Sequence, residues 1–105
     1  MNMNSCNKHA YRLFFGTLAN QSRLEILNVL RHGKKNVTEI CKIIKLEQSL
    51  VSHHLKELEY HGMVFKERKG KFSFYDLNTK TIKPLLKLID EHMGEYCCKI
   101  ARGER

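Results

Sequence analysis

No stretch of this chain approaches the ~20 consecutive apolar residues needed to cross a bilayer, and the opening residues, Met1 to Lys8, form no apolar signal core. A cytoplasmic location is therefore expected. Acidic residues are also scarce: 11 Asp and Glu against 19 Lys and Arg leave a formal charge of +8, which favours a polyanion as partner, nucleic acid ahead of membrane. There is no phosphate-binding glycine loop and no nucleophile beside a placed base, so an enzyme is not expected. Repeats, linkers and low-complexity tracts are missing as well. The 105 residues read as a single domain, 1–105, small enough that a second subunit could help to bury its apolar surface. The stacking aromatics of common RNA modules are not in evidence, because Phe72, Phe74 and Tyr75 are expected to be engaged by a hairpin and its packing.

What the chain does have is concentrated between Leu46 and Gly62. At about 100° per residue, Val51, Leu55 and Leu58 share one side of a helix, while Ser49, Ser52, His53 and Lys56 gather on the other. Short or flexible hydrogen-bonding side chains with one cation suit base edges and phosphates better than they suit a merely solvated face, where Glu and Lys usually dominate. This is the composition of a DNA recognition helix. A short helix over residues 38–44 precedes it, separated by the turn Lys45, Leu46 and Glu47, so that residues 38–61 read as a helix-turn-helix. Gly62 supplies its left-handed stop.

The flanks complete the outline. An apolar-rich helix is expected over residues 7–18, and its wide stripe of Tyr11, Leu13, Phe14, Phe15 and Leu18 suggests contact with a partner. Asn20 or Ser22 caps the next helix, in which Leu24, Ile26, Leu27, Val29 and Leu30 are core candidates and after which Gly33 is the stop. Beyond Gly62 the period changes from 3.6 to 2, giving two strands within residues 63–77 joined around Lys69, Gly70 and Lys71. Arg68, Lys69 and Lys71 would make that hairpin a basic wing able to reach phosphates or a minor groove. A last helix over residues 84–101, with Pro84 in its first turn, carries Leu85, Leu86, Ile89, Met93, Tyr96 and Ile100 as a long apolar stripe. The expected fold is mainly α with a small β-hairpin wing, a winged helix-turn-helix ordered α-α-α-α-β-β-α that dimerises through its first and last helices.

Two segments resemble the arsenic-repressor (ArsR/SmtB) family of winged-helix regulators. Leu18-Ala19-Asn20-Gln21-Ser22-Arg23-Leu24-Glu25-Ile26-Leu27 is similar to the family's Leu-Ala-Asp-Pro-Thr-Arg-Leu-x-Ile-Leu, and Gln48-Ser49-Leu50-Val51-Ser52-His53-His54-Leu55 to its Gln-Ser-x-Val-Ser-x-His-Leu. The likeness runs from about residue 15 to residue 77. It implies a dimeric regulator, usually a repressor, with DNA contacts from Gln48, Ser49, Ser52 and His53, and with Lys56 and the wing on the backbone. Two departures lie at the turn, where Lys45 stands in place of a usual glycine and Glu47 in place of a usual serine cap.

The resemblance also implies an effector, for which this chain has altered residues. The family's Cys-x-Cys site falls on Asn36 and Thr38, and half of its two-helix zinc site falls on Thr79 and Thr81, leaving only His92 and Glu95 of the other half. Both are expected to be solvated. Of the four cysteines, Cys41 lies between Ile40 and Ile44 and is expected to be a buried structural residue. Cys97 and Cys98 form an adjacent pair, which in a cytoplasmic chain points to reduced thiols or metal ligands before disulfides. With Cys6 from either subunit they would offer three sulfurs to As(III) or another thiophilic metal ion. A three-cysteine sensor, a redox-responsive pair and the absence of any effector remain open. The reading is a sequence-specific, homodimeric repressor on a near-palindromic stretch of double-stranded DNA, released by a thiophilic metal or metalloid. Its alternatives are an effector-independent or thiol-redox-responsive regulator, and a winged-helix protein-interaction module.

Overall fold

Asn20 sets the first corner of the molecule, because its side chain accepts a hydrogen bond from the Arg23 N–H at 3.0 Å and so supplies a partner for a helix start. The computed structural model describes residues 5–105. In it α1 (Ser5–Leu18) ends just before this cap and α2 (Gln21–Leu30) begins just after it. A two-residue strand β1 (Lys35–Asn36) leads into α3 (Val37–Ile44) and α4 (Gln48–Tyr60); the wing strands β2 (Val64–Lys69) and β3 (Phe72–Leu77) are followed by α5 (Ile82–Glu95) and the short α6 (Cys97–Ala101).

One apolar core joins these elements. Ile26, Leu27 and Leu30 of α2 meet Ile40 of α3, Val51, Leu55 and Leu58 of α4, Met63, and Val64 of β2, all at or near complete burial. Burying each such side chain contributes about 1.5–3 kcal/mol. Tyr75, Leu77, Ile82 and Leu86 close the core from β3 and α5. The wing is therefore anchored at its base to the same core that seats α4, and the two cannot move independently without opening apolar surface.

The expected winged helix-turn-helix is present, with three local differences. Strand β1 was not anticipated; it pairs antiparallel with β3 through Lys35↔Tyr75 and Asn36↔Phe74, extending the hairpin to a three-stranded sheet ordered β1-β3-β2. Two residues carry no readable period, and only the partner strand defines them. The last long helix starts at Ile82, two residues before Pro84, because Asn78 organises the entry: its Oδ1 accepts from the N–H groups of Lys80 and Thr81, and its carbonyl from Ile82. Pro84 still falls in the first turn, where its missing N–H costs nothing. The expected continuous helix to residue 101 instead breaks at Tyr96, at φ −123° and ψ −64°. Gly94, a weak helix former, lies two residues before the break, and the Tyr96 ring rests 4.9 Å from His92 while Arg105 stands 4.7 Å over it.

Gly33 and Gly62, at φ 122° and 70°, end their segments in the left-handed region as expected. Lys45 does the same without being glycine. At φ 56° and ψ 46° it is the one non-glycine residue with positive φ among the described residues, and its N–H closes α3 onto the Cys41 carbonyl at 2.8 Å. A side chain there costs about 1–2 kcal/mol, of which a glycine would return part in unfolded-chain entropy, about 0.4–1 kcal/mol. Lys45→Gly is accordingly expected to raise stability by up to about 1 kcal/mol, read as a higher midpoint in urea at an unchanged slope. A lower midpoint would show that the Lys45 side chain contributes contacts outweighing its backbone strain.

Candidate nucleic-acid interface

Helix α4 is divided as its periodicity requires. Val51, Leu55 and Leu58 are completely buried, whereas Gln48, Ser49, Ser52, His53 and Lys56 are all exposed. The preceding α3 is held by a reciprocal cap: Asn36 Oδ1 accepts from the Glu39 N–H at 2.8 Å, and Glu39 Oε1 accepts from the Asn36 N–H at 2.9 Å. Asn36, one of the two positions where the thiolate motif would lie, thus has a helix-capping task. Glu47 is the N-cap of α4 but makes no side-chain cap bond; it accepts instead from the Ser49 hydroxyl at 3.3 Å.

The wing separates its cations by the parity of the sheet. Residues paired across β2 and β3 share a face, so Lys66, opposite Tyr75, and Arg68, opposite Ser73, lie on the side of the buried Val64, Leu77 and Tyr75. That side packs on the core that also holds Val51, Leu55 and Leu58 of α4, and there burial, then the charge of Glu59, raises the Tyr75 hydroxyl above its usual pKa. Lys69, opposite Phe72, lies on the other face, and Lys71 occupies the two-residue turn beside Gly70. The three predicted wing residues are therefore not one cluster. Arg68 also bonds the Gly70 carbonyl through Nε at 3.3 Å, while Lys69 and Lys34 flank Glu67 at 3.7 and 3.0 Å. The Lys34 hydrogen bond, then the charges of Lys34 and Lys69, hold the Glu67 carboxyl below the usual carboxylate range. Lys66 was missed in sequence, although strict alternation from Val64 places it beside Arg68.

The outer face of the sheet departs from expectation. Phe72 is 52 % exposed, with its ring 6.5 Å from that of Phe74, and Phe65 is 56 % exposed. Only Tyr75 of the hairpin aromatics singled out earlier is fully engaged in the core, because it alone lies on the packed face of β3.

His54 lies on the buried flank of α4 at 8 % exposure and accepts a hydrogen bond at Nδ1 from Arg23 Nε at 3.2 Å. Burial, then the charges of Arg23 and His53, lower its pKa from the usual histidine value. This pairing spans α2 and α4 and had no signal in the local pattern.

Thiols and other metal-binding groups are dispersed. Cys6, Cys97 and Cys98 are exposed, and Cys41 is half-buried against the core. Cys97 and Cys98 sit on α6, beyond the break at Tyr96, so neither is part of a packed stripe. Among the described residues of the single chain, no three His, Cys, Asp or Glu side chains are grouped to hold a metal ion. A three-sulfur site is thus not assembled within one chain. His92 and Glu95 are both exposed. Among the described residues no helix is long and apolar enough to cross a membrane.

Apolar surface is left over along one flank. Phe15, Leu18, Leu24, Leu86, Ile89 and Met93 line an open groove between α1, α2 and α5. An ion pair between Arg31 and Asp90 at 2.7 Å borders it, tying α2 to α5. Leu13 of α1, Leu88 of α5, Tyr96 at the break and Ile100 of α6 add further exposed apolar area.

The family model for bacterial regulatory proteins of the arsR family matches residues 20–66. The chain is 39 % identical over 89 residues to the arsenical resistance operon repressor of Bacillus subtilis, a match covering 84 % of this chain and 79 % of that protein. It is 40 % identical over 76 residues to the transcriptional repressor PagR of Bacillus anthracis, covering 70 % and 75 %. Among solved structures it is similar to the homodimeric winged helix-turn-helix DNA-binding domain of a possible ArsR-family regulator from Mycobacterium bovis. That match has a TM-score of 0.80 and 25 % identity and covers 92 % of this chain and 94 % of the other.

Proposed function

The chain belongs to the arsR family of bacterial regulatory proteins, and from that premise we propose that it is a homodimeric repressor whose two copies of α4 read a near-palindromic DNA site. It is a winged helix-turn-helix DNA-binding transcriptional regulator. The observation that carries the finer reading is the division of α4, with three fully buried leucine and valine side chains behind and Gln48, Ser49, Ser52, His53 and Lys56 in front. We assign base reading to Gln48, Ser49, Ser52 and His53. Lys56, Lys66, Arg68 and Lys71 are assigned to phosphates. Lys69 joins them only when DNA draws it away from Glu67. Residues 1–105 act together as one DNA-binding unit.

Dimerisation is supported by the groove of Phe15, Leu24, Ile89 and Met93, which the single chain leaves uncovered. A twofold pair of α4 helices about 34–36 Å apart would enter successive major grooves on one side of the duplex.

A thiol effector is a second reading, favoured by the exposure of Cys6, Cys97 and Cys98. As(III) or another thiophilic metal ion would require Cys6 of one subunit beside the pair of the other. Fluorescence anisotropy of the reduced protein tests both readings, using a duplex that it selects from a random pool and a scrambled duplex at fixed salt, with and without As(III). Tighter binding to the selected duplex is expected, and equal binding to both would remove sequence-specific reading. Release by As(III) that disappears on replacing Cys97 and Cys98 with serine would support the three-sulfur effector; indifference to As(III) would remove that effector and leave DNA reading intact.

A further inference from the structure

We propose that Arg23 is a positioning residue for DNA reading, joining the end of α1 to the recognition helix α4 through His54; the inference rests on the assignment of α4 to base reading above. Arg23 is held at its backbone and at its guanidinium. Its own N–H is bound by the Asn20 cap at 3.0 Å, its Nη1 donates to the Thr17 carbonyl of α1 at 3.3 Å, and its Nε donates to His54 Nδ1 at 3.2 Å. Thr17 and His54 are both buried, at 5 % and 8 % exposure. One guanidinium, carried by α2, therefore bonds two other helices: α1 near its end and α4 in its middle.

The apolar contacts of Val51, Leu55 and Leu58 hold α4 against the core, but such contacts are non-directional and tolerate small rotations about the helix axis. A hydrogen bond to an imidazole lone pair is directional, and it falls on the residue next to His53. The two imidazole rings lie 5.6 Å apart. Base reading requires side chains to be held within about 0.5 Å and 10–20°, so a bond that fixes the rotation of His54 also fixes the aim of His53 and of Ser52 on the same face.

The bond also fixes a protonation state. A guanidinium has only donors and stays charged, so His54 must present a bare Nδ1 and carry its proton on Nε2. A protonated His54 would oppose N–H to N–H beside an existing cation. The charged groups facing it are Arg23 from α2 and His53 from α4; α1 contributes the Thr17 carbonyl, bonded to Arg23. Specific reading should therefore weaken on acidification for a reason that a purely structural arginine would not produce.

The test uses the full chain, a duplex selected by the unaltered protein and an unrelated duplex, measured at about pH 8 and about pH 5.5, with dimer content and thermal midpoint recorded for each variant. Arg23→Lys keeps the charge but loses the Nε donor. His54→Leu loses the acceptor, and His54→Asn keeps an acceptor near Nδ1 that does not titrate. At the higher pH, Arg23→Lys and His54→Leu are each expected to lower the specific-to-nonspecific ratio about tenfold, with the double variant no worse than either single one. His54→Asn should retain the ratio at the higher pH and lose less of it at the lower pH than the unaltered protein does. If His54→Leu fails to fold, Arg23→Lys and His54→Asn decide the matter. An unchanged ratio in Arg23→Lys, or additive losses in the double variant, overturns the inference while leaving DNA reading in place. Failure of the unaltered protein to select any duplex overturns both.

Discussion

Replacing Ser52 and His53 together with alanine is expected to reduce affinity for a selected duplex at least about a hundredfold, while binding to unrelated DNA changes little. Both side chains are exposed on the front of α4, so their removal leaves no cavity, and alanine is the better helix former. The loss is that of base contacts, each contributing about 1–3 kcal/mol of discrimination, and a dimer loses them twice. The opposite pattern is expected from Lys66, Arg68 and Lys71. Their alanine variants should weaken binding to every duplex alike and flatten the salt dependence by about 0.9 in log–log slope for each phosphate contact removed. Anisotropy titrations over a range of salt read both effects. Equal losses on selected and unrelated DNA from the Ser52 and His53 pair would assign α4 to backbone contact and remove it as the reading element.

The second large effect is expected at Phe15. It is 56 % exposed at the edge of the groove lined also by Leu24 and Met93, and its neighbouring rings among the described residues come from its own helix, Tyr11 at 6.2 Å and Phe14 at 5.2 Å. Phe15→Glu therefore costs the single chain little packing. In a twofold interface the buried charge appears in both subunits, and losing an aromatic anchor from each removes at least about 4 kcal/mol, enough to shift the dimer dissociation constant by about a thousandfold. Sedimentation should find the unaltered protein dimeric and the variant monomeric, with the same circular dichroism spectrum. Binding to a two-half-site duplex should fall by about two orders of magnitude or more, because the second half-site is no longer tethered to the first. Phe72→Glu is the control for dimer content alone, since Phe72 is similarly exposed but lies on the outer face of the wing. A Phe15→Glu protein that remains dimeric would move the interface away from this groove.

These expectations depend on features that differed in how openly the residues declared them. The two faces of α4 were readable because a 3.6-residue period over Val51, Leu55 and Leu58 puts burial and exposure in register with the helix itself. Asn20, Gly33 and Gly62 were readable for a similar reason: a cap or a positive φ is a property of one residue and its nearest neighbours. Asn36 and Glu39 carry an equally local signal, a side chain three residues before a glutamate. The break at Tyr96 lies at the other extreme, where ring contacts with His92 and Arg105 accompany the end of the α5 stripe.

Local periodicity, capping chemistry and charge imbalance were enough to determine a basic winged helix-turn-helix, the extent of its helix α4 and the residues on the exposed face of that helix. Tertiary structure alone decided what the wing cations lie against, since Lys66 stands opposite Tyr75 and Arg68 opposite Ser73 only once β2 has paired with β3. It alone joined Lys34 to Glu67 across 33 positions and Arg23 to His54 across 31. The physical reason is the range of the forces involved. A helical period or a cap is satisfied within one turn of the chain, whereas a hydrogen bond between distant side chains exists only after the core has brought their helices and strands together.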